Sequence, residues 1–353
     1  MATASCGAGS GTSSDLPPGP TTTAPPGNIV LYVTMAQGDR VDAYRLGTDG
    51  LLPAAPFSTM HLTNPRRLTI NDGILYVATE DRIVSARLGQ DGALPVGPDA
   101  QTDVREDSVP LDLIVRNGIL YAAITGYGLV ESFELQDGMV PADPTGVGTG
   151  QYPADYVSLE LSGGYLYAGS RRSQLIDVFL LDADGNVPDD AEAQDPIDAI
   201  SLPDDMEIRD NILYVTSAGD RAIRAYRILA DGTLPAEQDS RTKAAQYYSS
   251  IVLDGTTLYA SAYNAGRIDL FTVADDGMLP EEPPFASTKD DPSSYPARMV
   301  LRGGILYVAQ AGLDRVDAYV IGPDKLPPEY PSSSTVLAPG DSFPSDIVAY
   351  ELN

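Results

Sequence analysis

Residues Asn28–Pro53 read NIVLYVTMAQGDRVDAYRLGTDGLLP. Alternating apolar and polar residues over short runs mark half-buried strands. Asp-Gly between two such runs is a strong turn signal, because both positions tolerate a left-handed backbone. The stretch therefore reads as a strand, a short loop, a second strand, a turn at Asp49-Gly50 and a Leu-Pro entry to a third strand. The chain then repeats this unit six more times. A Leu-Tyr pair recurs at Leu31-Tyr32, Leu75-Tyr76, Leu120-Tyr121, Leu166-Tyr167, Leu213-Tyr214, Leu258-Tyr259 and Leu306-Tyr307, with a spacing of 44 to 48 residues. A period in the forties with several short strands per unit is the signature of a propeller blade. Seven copies predict an all-β, seven-bladed β-propeller built of four-stranded antiparallel blades.

Within each unit the strands are labelled A to D from the channel outward. Turns at Asp72-Gly73, Asn117-Gly118, Gly163-Gly164 and Gly303-Gly304 close A onto B. Strand C carries an aromatic at Tyr44, Phe133, Phe179, Tyr226, Phe271 and Tyr319, replaced by Ala86 in blade 2. Asp-Gly pairs follow C at residues 49, 91, 137, 184, 231 and 276, and blade 7 has Pro323-Asp324-Lys325 instead. A proline, from Pro53 to Pro327, is expected to open every D strand, where its missing N–H suits a sheet edge. The first unit begins at its B strand, and the chain end Phe343–Tyr350 matches the A pattern. Residues 345–351 are therefore expected to complete blade 1 and close the ring.

Aligning the A strands on their first buried residue places one polar residue before it in every blade: Asp346, Arg67, Asp112, Ser158, Asp205, Ser250 and Arg298. This ring falls at the channel mouth, on the face shared by the D–A and B–C loops, where a rigid scaffold commonly displays function. Two arginines flanking Asp346 could clamp a carboxylate or phosphate. Asp205 opposite them could act as a general base with Arg298 and Arg67. The alternative is that these charges pair with one another and cap the channel. Arg171, Tyr247, Tyr152 and Tyr295 are further candidates for ligand contact, whereas an arginine recurring before strand C (Arg40, Arg82, Arg221, Arg267, Arg315) reads as structural.

The repeating unit LYVA–x–DRV–x–AY–x–L–x–DG–x–LP resembles the seven-bladed lactonase family, which includes bacterial 6-phosphogluconolactonase and fungal carboxymuconate-lactonising enzymes. The resemblance spans residues 28–353 and implies the propeller fold and lactone hydrolysis. Enzymes of the family open one A strand with Pro-Arg-His. The matching stretch here is Pro296-Ala297-Arg298-Met299-Val300, so the arginine position holds Ala297 and the histidine position holds Arg298. Two functions stay open: a ligand- or protein-binding module acting at the channel mouth, and a lactone hydrolase with a divergent site.

The 353 residues carry 50 acidic and 22 basic side chains, a net charge of −28. Such a surface repels phosphate backbones and argues against nucleic-acid binding. The single histidine, His61, gives no basis for a Ser-His-Asp triad or a His-based metal site. No metal, no cofactor and no transmembrane segment are expected, and the protein is expected to act as a monomer. Residues 1–27, dense in Ser, Thr, Gly and Pro, read as a flexible tether. Within them Thr3-Ala4-Ser5-Cys6-Gly7 looks like the cleavage region of a bacterial lipoprotein, with Cys6 the acylated residue. That motif points to an extracytoplasmic protein: a cell-surface lipoprotein, periplasmic or secreted.

Overall fold

A computed structural model describes residues 28–352, apart from 151–153, 189–190, 193, 198–200, 244, 283 and 338–342. Cys6 and Tyr152, and the tether with them, lie outside the described residues. Seven antiparallel sheets are arranged as a ring of blades. The A strands, innermost, are Pro344–Glu351, Arg67–Asn71, Pro110–Arg116, Tyr156–Ser162, Pro203–Arg209, Tyr248–Asp254 and Pro296–Arg302 for blades 1 to 7. A short 3-10 turn, Ala311–Leu313, lies between the B and C strands of blade 7.

Ring closure is as the repeat predicts. Pro344–Glu351 pairs with the first B strand, Ile29–Met35, from Ile29 opposite Glu351 to Met35 opposite Pro344. The A–B turns also match. Asp72-Gly73, Asn117-Gly118, Gly163-Gly164 and Gly303-Gly304 all have positive φ at both positions, the mirror-type turn that suits twisted strands.

The Leu-Tyr repeat has a specific cause. B strands are sandwiched between neighbouring blades and are buried along almost their whole length. Each B-strand tyrosine sends its hydroxyl into the next blade, where it donates to the carbonyl of the C–D turn. Tyr32 reaches Gly92, Tyr76 Gly138, Tyr121 Gly185, Tyr167 Gly232, Tyr214 Gly277 and Tyr259 Lys325. Tyr307 of blade 7 reaches Gly50 of blade 1 at 2.6 Å, so the same bond closes the ring. Lys325 replaces the glycine of blade 7 and still holds a positive φ of 65°. Leu-Tyr and Asp-Gly are thus two halves of one latch between blades.

One expectation is corrected. The prolines do not open the D strands. Pro53 and Pro95 precede D strands that begin at Ser58 and Ala100. The residue before each proline is instead packed between blades, as Leu94, Val140, Val187, Leu234 and Leu279 show by their burial. Leu94 N–H donates to Ser58 and Leu279 N–H to Ser240, both on D strands of the preceding blade. The proline stiffens a wedge between sheets, and the ladder begins several residues later. The seven blades each have the expected four antiparallel strands, and blade 3 carries an addition at its edge: Ala191–Glu192 runs parallel to Gly146–Thr149. A Cβ on Gly146 would lie 1.8 Å from the Val187 carbonyl oxygen, so the glycine lets Val187 pack close against this D strand.

Candidate functional site at the channel mouth

Six of the seven predicted ring residues, Arg67, Asp112, Asp205, Ser250, Arg298 and Asp346, line one cavity of about 290 Å³ at the mouth. Local backbone explains their aim. The A–B ladder is irregular just at the ring position in blades 3 to 7, for example between Pro110 and Asp112 and between Pro296 and Arg298. Such bulges re-aim a side chain at the rim of a sheet. Ser158 is the exception; it lies outside the cavity lining, and its Oγ sits 2.7 Å from where a Cβ on Gly169 would be.

The three aspartates are pins between neighbouring A strands. Asp346 of blade 1 accepts from Leu68 N–H of blade 2 at 2.9 Å. Asp112 of blade 3 accepts from Leu159 N–H of blade 4 at 2.8 Å, and Asp205 of blade 5 from Ile251 N–H of blade 6 at 2.9 Å. A strands of adjacent blades do not pair, so their first N–H groups would otherwise lack acceptors. Asp205 also holds Arg298 in an ion pair across the channel, both side chains largely buried. Burial works against the Arg298 charge, but Asp205, with Asp346 and Asp112 adding, outweighs it and raises Arg298.

Arg67 is different. Its nearest carboxylate oxygen, on Asp112, stands 3.9 Å from Nε, beyond hydrogen-bond distance. Arg67 Nε is buried with no acceptor among the described residues. Desolvation lowers its pKa, and repulsion from Arg298 adds to that. Asp112 is pushed up to about 6 by desolvation, which the two arginines only partly offset. Asp346 is raised for the same reason.

One layer deeper the channel holds a pair that the ring alignment passes over. Two residues on from the ring, the A strands carry Val348, Thr69, Ile114, Glu160, Glu207, Val252 and Val300. Glu160 and Glu207 stand on adjacent blades, and Glu207 accepts from Leu253 N–H at 3.0 Å. Desolvation, then the nearby Asp205 charge, pushes Glu207 to about 8; desolvation and Glu207 itself raise Glu160 well above the usual range. The period-two register of a strand could have revealed both, since they face the same side as the ring.

This pair has a consequence for stability. Glu207 ionises near pH 4 in the unfolded chain and near 8 in the fold, so between these values the folded state holds more protons. Its contribution is therefore greatest below pH 4 and is lost as pH rises to about 8. Glu207→Gln is expected to remove about 1–3 kcal/mol of that decline, read from urea unfolding at pH 5 and pH 8. An equal decline in variant and wild type would contradict the assignment.

Of the other predicted contact residues, Arg171, Tyr247 and Tyr295 gather on the same face. Arg171 and the Tyr247 hydroxyl both bind Asp204, the residue before Asp205. Tyr295 stacks on Tyr263, which the sequence analysis did not single out. Of the arginines before strand C, three sit within the blades, while Arg221 is exposed and Arg82 pairs with the exposed Asp81. Arg40, Arg267 and Arg315 each pair with a buried aspartate two residues on, and Thr59, Ser287 and Ser334 of the D strands complete the cluster. His61 is exposed at the end of a D strand. A larger hollow of about 560 Å³ lies on the outer rim between blades 6 and 7, away from the mouth. Among the described residues no group of three or more His, Cys, Asp or Glu is placed to hold a metal ion, and no helix is long and apolar enough to cross a membrane.

No family model and no curated protein matches the chain. Solved structures do. A candidate 6-phosphogluconolactonase from Bacteroides uniformis superposes with a TM-score of 0.77 at 19% identity, over 92% of this chain and 100% of that one. The periplasmic gluconolactonase of Pseudomonas aeruginosa gives 0.77 at 18%, over 92% and 99%. A candidate 6-phosphogluconolactonase from Bacteroides fragilis gives 0.74 at 17%, over 94% and 100%. Over nearly its whole described length, the chain has the lactonase-like seven-bladed propeller fold of these proteins.

Proposed function

We propose that this protein is an extracytoplasmic propeller that binds a small hydroxylated carboxylate, of the sugar-acid class, at the mouth of its channel. The observation that carries the reading is Arg67, which lines a polar cavity, has only a loose ion pair with Asp112 and keeps a buried Nε without an acceptor among the described residues. A buried donor without an acceptor is costly, and a ligand carboxylate would supply the missing partner through a charge-assisted bond. The three ring aspartates are already bonded to N–H groups, so they present fixed acceptors for ligand hydroxyls. Glu207, protonated at neutral pH, adds a donor. A cavity of about 290 Å³ suits one small molecule rather than a protein segment. The tether of residues 1–27, acylation at Cys6 and action as a monomer belong to this proposal, and the periplasmic neighbour agrees with the compartment.

Gluconate is the probe. Isothermal titration is expected to give binding that weakens at least ~10-fold in Arg67→Ala, the loss of one charge-assisted contact. No binding, or equal binding in the variant, would overturn the reading. The names of the structural neighbours favour a second reading, hydrolysis of a sugar-acid lactone by Asp205 with Arg298 and Arg67. Against it, Asp205 is already held by Arg298 on one oxygen and by Ile251 N–H on the other, an arrangement that reads as a structural pin. Turnover of gluconolactone that collapses in Asp205→Asn would establish the hydrolase.

A further inference from the structure

Three tyrosines from three loops meet on the mouth face. Tyr247 precedes the A strand of blade 6, Tyr263 follows its B strand, and Tyr295 precedes the A strand of blade 7. Tyr247 and Tyr263 have ring centroids 5.4 Å apart, and Tyr263 and Tyr295 stack at 5.2 Å with an interplanar angle of 30°. Several independent features hold this row upright. Tyr295 adopts a φ of 45°, a left-handed conformation that a bulky residue seldom takes without cause. A Cβ on Gly312 would lie 2.4 Å from Tyr295 Cδ2, so a glycine clears the ring's place. At the other end the Tyr247 hydroxyl is tied to Asp204, itself buried and paired with Arg171. The row is not core, because Tyr295 remains 39% exposed.

Strained backbone, a cleared space and a buried anchor, all holding a half-exposed aromatic row whose outer ring, Tyr295, faces solvent, call for an occupant. An aromatic row with polar groups along its border suits the C–H face of a sugar ring, with hydroxyls reaching the border. A cationic ligand fits poorly, since Asp204 is already neutralised by Arg171 and would bring the cation against a guanidinium. A polyanion fits poorly on a protein of net charge −28. We propose that the Tyr247–Tyr263–Tyr295 row is a carbohydrate-binding shelf beside the channel mouth, taking an uncharged pyranose. This goes beyond the mouth reading and uses different residues.

Saturation-transfer NMR on the full chain tests it, with the methyl glycosides of glucose, galactose, mannose and N-acetylglucosamine as probes and choline as the cationic control. Irradiating tyrosine ring protons is expected to transfer to at least one glycoside. Its Kd is expected to weaken ~10-fold in Tyr295→Ala and to change little in Tyr295→Phe, which keeps the ring. Absence of transfer to all four, an unaltered Kd in a folded Tyr295→Ala, or preferential binding of choline would overturn the shelf. The wild-type spectrum decides the matter even if the alanine variant fails to fold. Gluconate binding without any glycoside binding would overturn the shelf alone, and glycoside binding without gluconate binding would overturn the mouth seat alone.

Discussion

Deleting Pro344–Asn353 is expected to abolish the cooperative thermal transition of the whole propeller. The segment supplies the entire A strand of blade 1, paired with Ile29–Met35 along its length. Ile347 is buried in a cluster that joins blade 1 to Ile305 and Tyr307 of blade 7. Val348 and Tyr350 pack on the other side, against the cluster shared with Leu68 and Leu75 of blade 2. Asp346 is the acceptor for Leu68 N–H, so a pin to blade 2 leaves as well. Loss of the strand thus strips apolar surface from both flanking blades and bares a fully apolar B-strand edge, which invites aggregation. Burial of side chains such as Ile347 and Tyr350 contributes roughly 1.5–3 kcal/mol each, a large share of the roughly 5–15 kcal/mol by which domains are stable. Differential scanning calorimetry reads the result. A sharp transition at the wild-type temperature would show that the ring does not depend on its closing strand.

Replacing Arg298 by Met is expected to cost about 3–5 kcal/mol, the usual penalty for leaving one partner of a buried ion pair uncompensated. Asp205 would keep its bond from Ile251 N–H but lose the guanidinium that balances its charge. The methionine fills much of the space of the stem, so the loss reports charge rather than volume. Adding Asp205→Asn should restore much of the stability, because the amide still accepts from Ile251 and carries no charge. The same change should lower the pKa of Glu207, since Asp205 is the main charged neighbour raising it. A double-mutant cycle by urea unfolding measures the coupling. A coupling near zero would mean that the two residues do not act as a pair.

The parts of this molecule that could be read from sequence are those set by short-range rules repeated seven times. Leu-Tyr and Asp-Gly recur because each blade must latch to the next, so blade number and closure by Ser345–Glu351 were legible. The ring residues were legible too, because a strand's period of two makes the residue before a buried one face the channel. What the repeat hid was three-dimensional. Pro53 and its counterparts looked like edge-strand prolines, and only the packing of Leu94 or Leu279 between blades reveals a wedge. The strand that Ala191–Glu192 adds to blade 3 follows Val187, whose close approach depends on the absent side chains of Gly146 and Gly148. Tyr263 was one tyrosine among 20, and its importance comes from Tyr247 and Tyr295 arriving from other loops. The pairing of Asp205 with Arg298 rather than with Arg67 could not be known without distances across the channel.

A crystal structure grown with saturating gluconate tests the central claim most directly. The ligand carboxylate is expected within hydrogen-bond distance of the Arg67 guanidinium, with its hydroxyls toward Asp112, Asp205 or Asp346. Gluconate bound elsewhere, or a mouth that holds only water at saturating ligand, would contradict it.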